Sequence, residues 1–85
     1  MKTSLEVLGP IVASVAHIDV SSLTPQTDLL ATGILDSLQV VHLAGEIERV
    51  FGLRLDAYDL TPENFASLAK LQALIQAKLV LPDPR

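Results

Sequence analysis

The sequence contains no cysteine and no tryptophan, and its only aromatic residues are one tyrosine and two phenylalanines. Without thiols there are no disulfides, no thiolate catalysis and no cysteine metal sites, a composition that suits a reducing compartment. No run of about 18 apolar residues exists to cross a membrane. The N-terminus lacks the unbroken apolar stretch of a signal peptide, because Glu6, Pro10 and Ser14 interrupt it. A cytoplasmic protein with no membrane insertion is expected. Basic residues are also scarce, 6 Lys and Arg against 10 Asp and Glu. The acids concentrate in the middle, where Asp19 to Glu63 holds eight of them against Arg49 and Arg54. Such a surface repels nucleic acid and favours partners with basic docking faces. Two histidines without cysteine or a close acid pair make no metal site. No Gly-x-Ser-x-Gly elbow or Ser-His-Asp spacing is present, so the chain is not expected to be an enzyme.

What the chain does have is aliphatic bulk: 49% of its 85 residues are hydrophobic, mostly leucine, valine, isoleucine and alanine. That length bounds one domain, residues 1–85, with a core of about residues 3–79 and a tail over 80–85. Thr3 and Glu6 have capping-box spacing, and Leu5, Leu8, Ile11, Val12 and Val15 recur at helical intervals, which predicts a first helix over about residues 4–16. Pro10 predicts either a kink there or an effective start at the proline. His17 reads as a solvated residue at the negative end of that helix. From His17 to Asp36 no period persists, which predicts a long connection with one short turn near Asp28, pinned to the core by Ile18, Val20, Leu23, Leu30 and Leu35. The segment from about Ser37 to Phe51 predicts a second helix with a core face of Leu43, Ile47, Val50 and Phe51, stopped by Gly52. Thr61-Pro62-Glu63 predicts a short helix ending near Phe65. Ser67 then caps a last helix with a stripe of Leu68, Leu71, Leu74, Ile75 and Leu79, ended by Pro82 and Pro84. The expected fold is all-α, a small bundle of three longer helices and one short one with a long first loop. Its core is expected to comprise Leu8, Leu30, Leu43, Ile47, Phe51, Leu55, Phe65, Leu68 and Leu71.

The chain is organised around residues 29–38, Leu-Leu-Ala-Thr-Gly-Ile-Leu-Asp-Ser-Leu. Gly33 permits the positive φ of a sharp turn. Asp36 is a preferred N-cap, which puts Ser37 at the positive end of the second helix, where unpaired amides and the helix dipole both favour an anion such as a phosphate ester. On its own, the pair reads as a simple helix cap. A second strip on this helix, Leu38, Val41 and Gly45 with His42 and Arg49 beside it, lies away from the core face and reads either as a docking surface or as a second buried side.

Asp-Ser-Leu alone arises by chance in about one chain in thirty of this size. The longer pattern is more specific, adding Asp28, Leu30 and Gly33 upstream and Leu43, Ile47, Glu48 and Phe51 downstream. On these residues the chain resembles the acyl and peptidyl carrier proteins over about residues 3–79. The resemblance implies that Ser37 carries 4′-phosphopantetheine, transferred from coenzyme A by a Mg-dependent phosphopantetheinyl transferase that also recognises Asp36. It implies an acyl or aminoacyl thioester on the arm, and partners comprising an adenylating or acyl-loading enzyme and downstream synthase or tailoring enzymes. Leu38, Val41, His42, Gly45 and Arg49 would form the partner face of a monomer. Gln39, His42 and Arg49 stand where fatty-acid carriers often have acids, whereas Gly33-Ile34-Leu35-Asp36 and Glu63-Asn64-Phe65-Ala66-Ser67 look more like D-alanyl carriers and the peptidyl carriers of natural-product pathways. The start at Met1 and the single domain favour a free-standing carrier. The alternatives are a fatty-acid carrier and an unmodified helical interaction module.

Overall fold

The computed structural model describes residues 4–80. Three α-helices carry the fold, α1 (Ser4–Ala16), α2 (Ser37–Phe51) and α3 (Leu68–Val80), with a 3-10 turn at Val20–Ser22 and no strand among the described residues. α1 is the central helix and packs against α2, α3 and the 3-10 turn. Leu8 and Val12 of α1, Leu43 and Ile47 of α2 and Leu71 and Ile75 of α3 are all fully buried, with Leu29 and Phe65 from the connections between them. This is the expected all-α bundle.

α1 continues through Pro10, so the helix does not begin there. Thr3, the expected cap, lies outside the described residues, as do Pro82 and Pro84. α1 ends in a pair of hydrogen bonds, Ile18 N–H to the Ala13 carbonyl at 3.0 Å and His17 N–H to the Ser14 carbonyl at 3.4 Å. With His17 at φ 60°, this is a Schellman stop. His17 is therefore a left-handed cap residue, a place glycine usually fills.

The short helix stands elsewhere than expected. Residues 61–65 form one hydrogen-bonded turn, closed by Phe65 N–H to the Thr61 carbonyl at 3.2 Å, and Thr61 Oγ1 accepts from Asn64 N–H as a cap would. The cap is right but the run is too short, because Ser67 starts α3 immediately by accepting from Lys70 N–H. The extra turn is instead Val20–Ser22, capped by Asp19.

Six burial expectations also need correction. Leu29, not Leu30, is the fully buried leucine of the first loop. Its amide donates to the Ala66 carbonyl at 2.7 Å, and that tie, rather than any periodicity, sets which way it faces. Phe51 is half-buried at the core's edge, since it is the last residue of α2 and Gly52, at φ 67°, turns the chain away. Leu55 is likewise only half-buried. Val20, Val50 and Leu79 are 45%, 41% and 51% exposed: the core closes at Ile75, one turn before Leu79.

Candidate functional site

The segment leading into α2 is fixed by its own polar groups. Asp28 Oδ1 accepts from Leu30 N–H at 3.1 Å and Ala31 N–H at 2.8 Å, and the Thr32 hydroxyl donates to the Asp28 carbonyl. This is the turn expected near Asp28. Gly33 follows at φ 78°, with open space around it, so the turn itself, and no close neighbour, requires glycine. Leu35 N–H then donates to the Leu29 carbonyl at 2.8 Å, and Leu29 N–H to Ala66. A line of backbone hydrogen bonds thus joins the start of α2 to the entry of α3.

Asp36 is the N-cap, as expected, at φ −103° and ψ −178°. Its carboxylate accepts from Gln39 N–H at 2.8 Å, while its own N–H donates to Gln39 Oε1 at 3.0 Å. This is a reciprocal capping box. Gln39 entered the sequence reading only as a missing acid, although Asp-x-x-Gln ahead of an apolar run is a recognisable box. Its amide nitrogen also reaches the Val15 carbonyl at 3.5 Å, which sets the first turn of α2 beside the last turn of α1.

Ser37 is exposed and opens α2. Helix geometry leaves the first-turn amides of Ser37 and Leu38 without intrahelical acceptors, on the positive side of the dipole. A phosphate ester on the Ser37 oxygen fits there without displacing any packed side chain, because Leu38 beside it is 79% exposed. Five residues on, His42 is well around the helix and stands in no Ser-His-Asp arrangement. Among the described residues no group of three His, Asp or Glu could hold a metal ion.

The second strip of α2 is a surface: Leu38, Val41, His42, Gly45 and Arg49 are all exposed on one side, Val41 by 62%. A Cβ on Gly45 would meet nothing within 4 Å, so no internal packing requires glycine there. Arg49 is engaged by Glu46, its terminal nitrogen 2.9 Å from Oε1 and its Nε 3.3 Å from Oε2. The hydrogen bond from Arg49 lowers the Glu46 carboxyl below its usual range, and the same bond raises the Arg49 guanidinium. Glu46 was missed in the sequence, though its i,i+3 spacing from Arg49 is a pairing signal. Tyr58, 89% exposed, was missed as well. It sits on a turn in which Asp56 Oδ1 accepts from Tyr58 N–H at 2.9 Å.

A family model, PP-binding, described as a phosphopantetheine attachment site, matches residues 6–77. The chain belongs to the phosphopantetheine-binding family. Its cofactor is therefore 4′-phosphopantetheine, held covalently, and the carrier works with a phosphopantetheinyl transferase and with enzymes that act on its load. Among curated proteins none matches the chain. A solved structure described as "Crystal structure of FAD-dependent dehydrogenase" is similar to this carrier, with 34% sequence identity and a TM-score of 0.68 over 79% of this chain and 94% of the matched one. The matched chain is thus slightly shorter than this carrier. No helix among the described residues is long and apolar enough to cross a membrane.

Proposed function

We propose that Ser37 is the attachment residue and that the chain holds an acyl or aminoacyl group as a thioester on the arm's terminal thiol, presenting it to successive enzymes of a cytoplasmic natural-product pathway. The observation that carries this reading is the exposed Ser37 hydroxyl at the capped start of α2, with an uncovered apolar strip beside it. The chemistry belongs to the cofactor; the chain supplies the anchoring oxygen, a helix end that favours the phosphate's charge, and the face that selects partners. Asp36 and Gln39 hold the first turn in place for the transferase. No reaction is assigned to the chain's own side chains, and residues 1–85 are taken as a single carrier domain.

Loading by an adenylating ligase is the favoured route. The face around Leu38 and Val41 combines His42 with the Glu46–Arg49 pair, in which opposite charges offset each other, so it lacks the acidic excess that a strongly basic docking surface selects. One specific downstream partner is supported. A chain of which 94% matches this small helical domain has no room for a dinucleotide-binding fold of two βαβαβ halves. We therefore propose an FAD-dependent dehydrogenase among the enzymes that act on this carrier's load.

Intact-mass measurement after incubation with coenzyme A, Mg²⁺ and a broad-specificity transferase separates this reading from an unmodified interaction module, which would gain no mass. The loaded protein is then offered to an adenylating ligase and to a fatty-acid malonyl transferase, alongside His42→Glu/Arg49→Glu. Efficient malonyl loading of the wild type, insensitive to salt and to both substitutions, would return fatty-acid synthesis to first place.

A further inference from the structure

Tyr58, the only tyrosine of the chain, is the most exposed large side chain with apolar character among the described residues, yet the turn that carries it is held firmly. Asp56 Oδ1 accepts from Tyr58 N–H at 2.9 Å and from Asp59 N–H at 3.2 Å, and Asp56 N–H donates in return to Asp59 Oδ2 at 3.0 Å. Asn64 Nδ2 donates to the Asp59 carbonyl at 3.0 Å. Two ties join the turn to the helices on either side: Leu55 N–H donates to Glu48 of α2 at 2.8 Å, and Lys78 of α3 closes on Asp59. The fold thus fixes an aromatic ring that it leaves uncovered. A ring already fixed loses little freedom on binding, which is what an anchor residue at an interface requires.

Glu48 places this turn relative to Ser37. It stands seven residues after Val41 and eleven after Ser37, close to two and three full turns of helix, so the three share one line along α2. Leu38 and Gly45 lie about a quarter-turn from that line, and Leu38, Val41 and Gly45 are all exposed. Tyr58 is three residues past Leu55 and so within about 10 Å of it. An uncovered apolar row therefore leads from Ser37 over about 16 Å of helix axis towards the Tyr58 turn. An interface of standard size, about 800 Å² on each partner, is roughly 30 Å across and covers both. The charges along the way are offset within the chain: Arg49 pairs with Glu46, Lys78 with Asp59, and Glu48 and Asp56 accept from loop amides. The other exposed charges of the loop, Arg54 and Glu63, are of opposite sign.

We propose that Tyr58 is the aromatic anchor by which the adenylating ligase recognises this carrier, its ring seated in an apolar pocket of the ligase while Leu38 and Val41 pack beside it; the proposal rests on Ser37 as the attachment residue and on loading by a ligase. The offset charges call for an apolar partner surface rather than a strongly basic one. The place of Tyr58 distinguishes the ligase from the transferase. A transferase reacts at the Ser37 oxygen and has to cover the first turn of α2, whereas a ligase reacts at the thiol, an arm's length away, and is free to contact the far end of the row.

The test uses the full-length protein carrying the arm, its added mass confirmed first. A panel of stand-alone adenylating ligases, each with its amino acid and ATP, is offered to the wild type, and the ligase that loads it fastest is used for kinetics. In the step that is read, the arm's sulfur bonds to the carboxyl carbon of the acyl adenylate, AMP leaves, and the thiol proton passes to solvent. Tyr58→Ala should raise KM for the carrier about 30-fold, the loss of a hot-spot side chain, with kcat and Tm unchanged. Tyr58→Phe, which keeps the ring, should recover most of that loss. Wild-type KM should change less than about twofold between about 0.05 and 0.5 M salt. An unchanged KM for Tyr58→Ala, a loss of equal size in phosphopantetheinyl transfer, or a steep rise of KM with salt would overturn the anchor while leaving the carrier reading intact. Loading by none of the ligases would overturn the ligase route and the anchor with it, and failure to gain mass at Ser37 would overturn the carrier reading as well.

Discussion

Two phenylalanines sit at opposite extremes of what a side chain contributes here, and replacing each by alanine measures the difference. Phe65 is fully buried between the helices. A phenylalanine buries roughly 150–250 Å², and at about 25 cal/mol/Å² that amounts to about 4–6 kcal/mol, close to the roughly 3–5 kcal/mol measured for such truncations in other cores. A chain of this length is stable by about 4–13 kcal/mol in total. Phe65→Ala should therefore leave the domain close to unfolding, with its urea midpoint lowered by about 3 M at an m of roughly 1 kcal/mol/M. Phe51 is half-buried at the end of α2, and Phe51→Ala should cost about half as much. Urea titrations followed by far-UV circular dichroism read both, with Phe65→Leu as a milder arm should Phe65→Ala fail to fold. A cost for Phe51→Ala equal to or above that of Phe65→Ala would refute the placement of the core.

Other expectations follow from single features of the fold. His17 occupies the left-handed region at the α1 stop, so His17→Gly should raise stability by about 0.5–1 kcal/mol, seen as a higher Tm; a lower Tm would contradict the strain argument. Gly45 has open space around its Cα, so Gly45→Ala should also stabilise, by up to about 1 kcal/mol, while slowing loading by the partner ligase several-fold; unchanged loading would remove Gly45 from the docking face. The Asp59–Lys78 pair, 2.6 Å apart with the Asp59 side chain 14% exposed, ties the loop after α2 to the last turn of α3. Burial pushes Asp59 up, but the Lys78 and Asp56 hydrogen bonds outweigh it and hold the carboxyl below its usual range. A carboxyl lowered on folding stabilises above the ordinary aspartate pKa, and that contribution is lost as the pH falls through the lowered value. Wild type should thus exceed Asp59→Asn by about 1 kcal/mol at pH 7, with the difference shrinking as the pH falls below the ordinary aspartate pKa of about 3.9 and lost below the lowered value; a difference constant with pH would rule out the ion pair as its source.

The parts legible in the sequence were those with a period or a cap. Asp36, Gly52, Ser67 and Thr61 each mark a boundary or turn that the structure uses, because a side-chain acceptor or a positive φ is a local requirement written in residue type. Leu43 and Ile47 followed from helical spacing. The loop was harder. Leu29 and Leu30 are chemically equal neighbours, and only the hydrogen bond to Ala66, 37 residues away, turns one of them inward. His17 at a left-handed stop was illegible because the glycine signal is absent. The end of α2 misled because spacing carries no information on where packing stops, so Phe51 and Val50 read as core although the bundle covers Phe51 only in part and leaves Val50 exposed. At the site, Ser37, Asp36 and the exposed strip from Leu38 to Arg49 came from the sequence; the Glu46–Arg49 pair was legible from its i,i+3 spacing and was passed over, while the tie from Gln39 to the Val15 carbonyl needed the fold, since it depends on which helix lies alongside.

The account turns on Ser37, and the most direct measurement is to locate the added phosphopantetheine. Wild type and Ser37→Ala are treated with coenzyme A, Mg²⁺ and transferase, digested, and mapped by peptide mass spectrometry. The account predicts one phosphopantetheine on the wild-type peptide containing Ser37, and none on Ser37→Ala, whose helicity and Tm stay unchanged because Asp36 and Gln39 make the cap without the hydroxyl. A variant that still gains the mass at another serine, or a wild type that gains none, would contradict it.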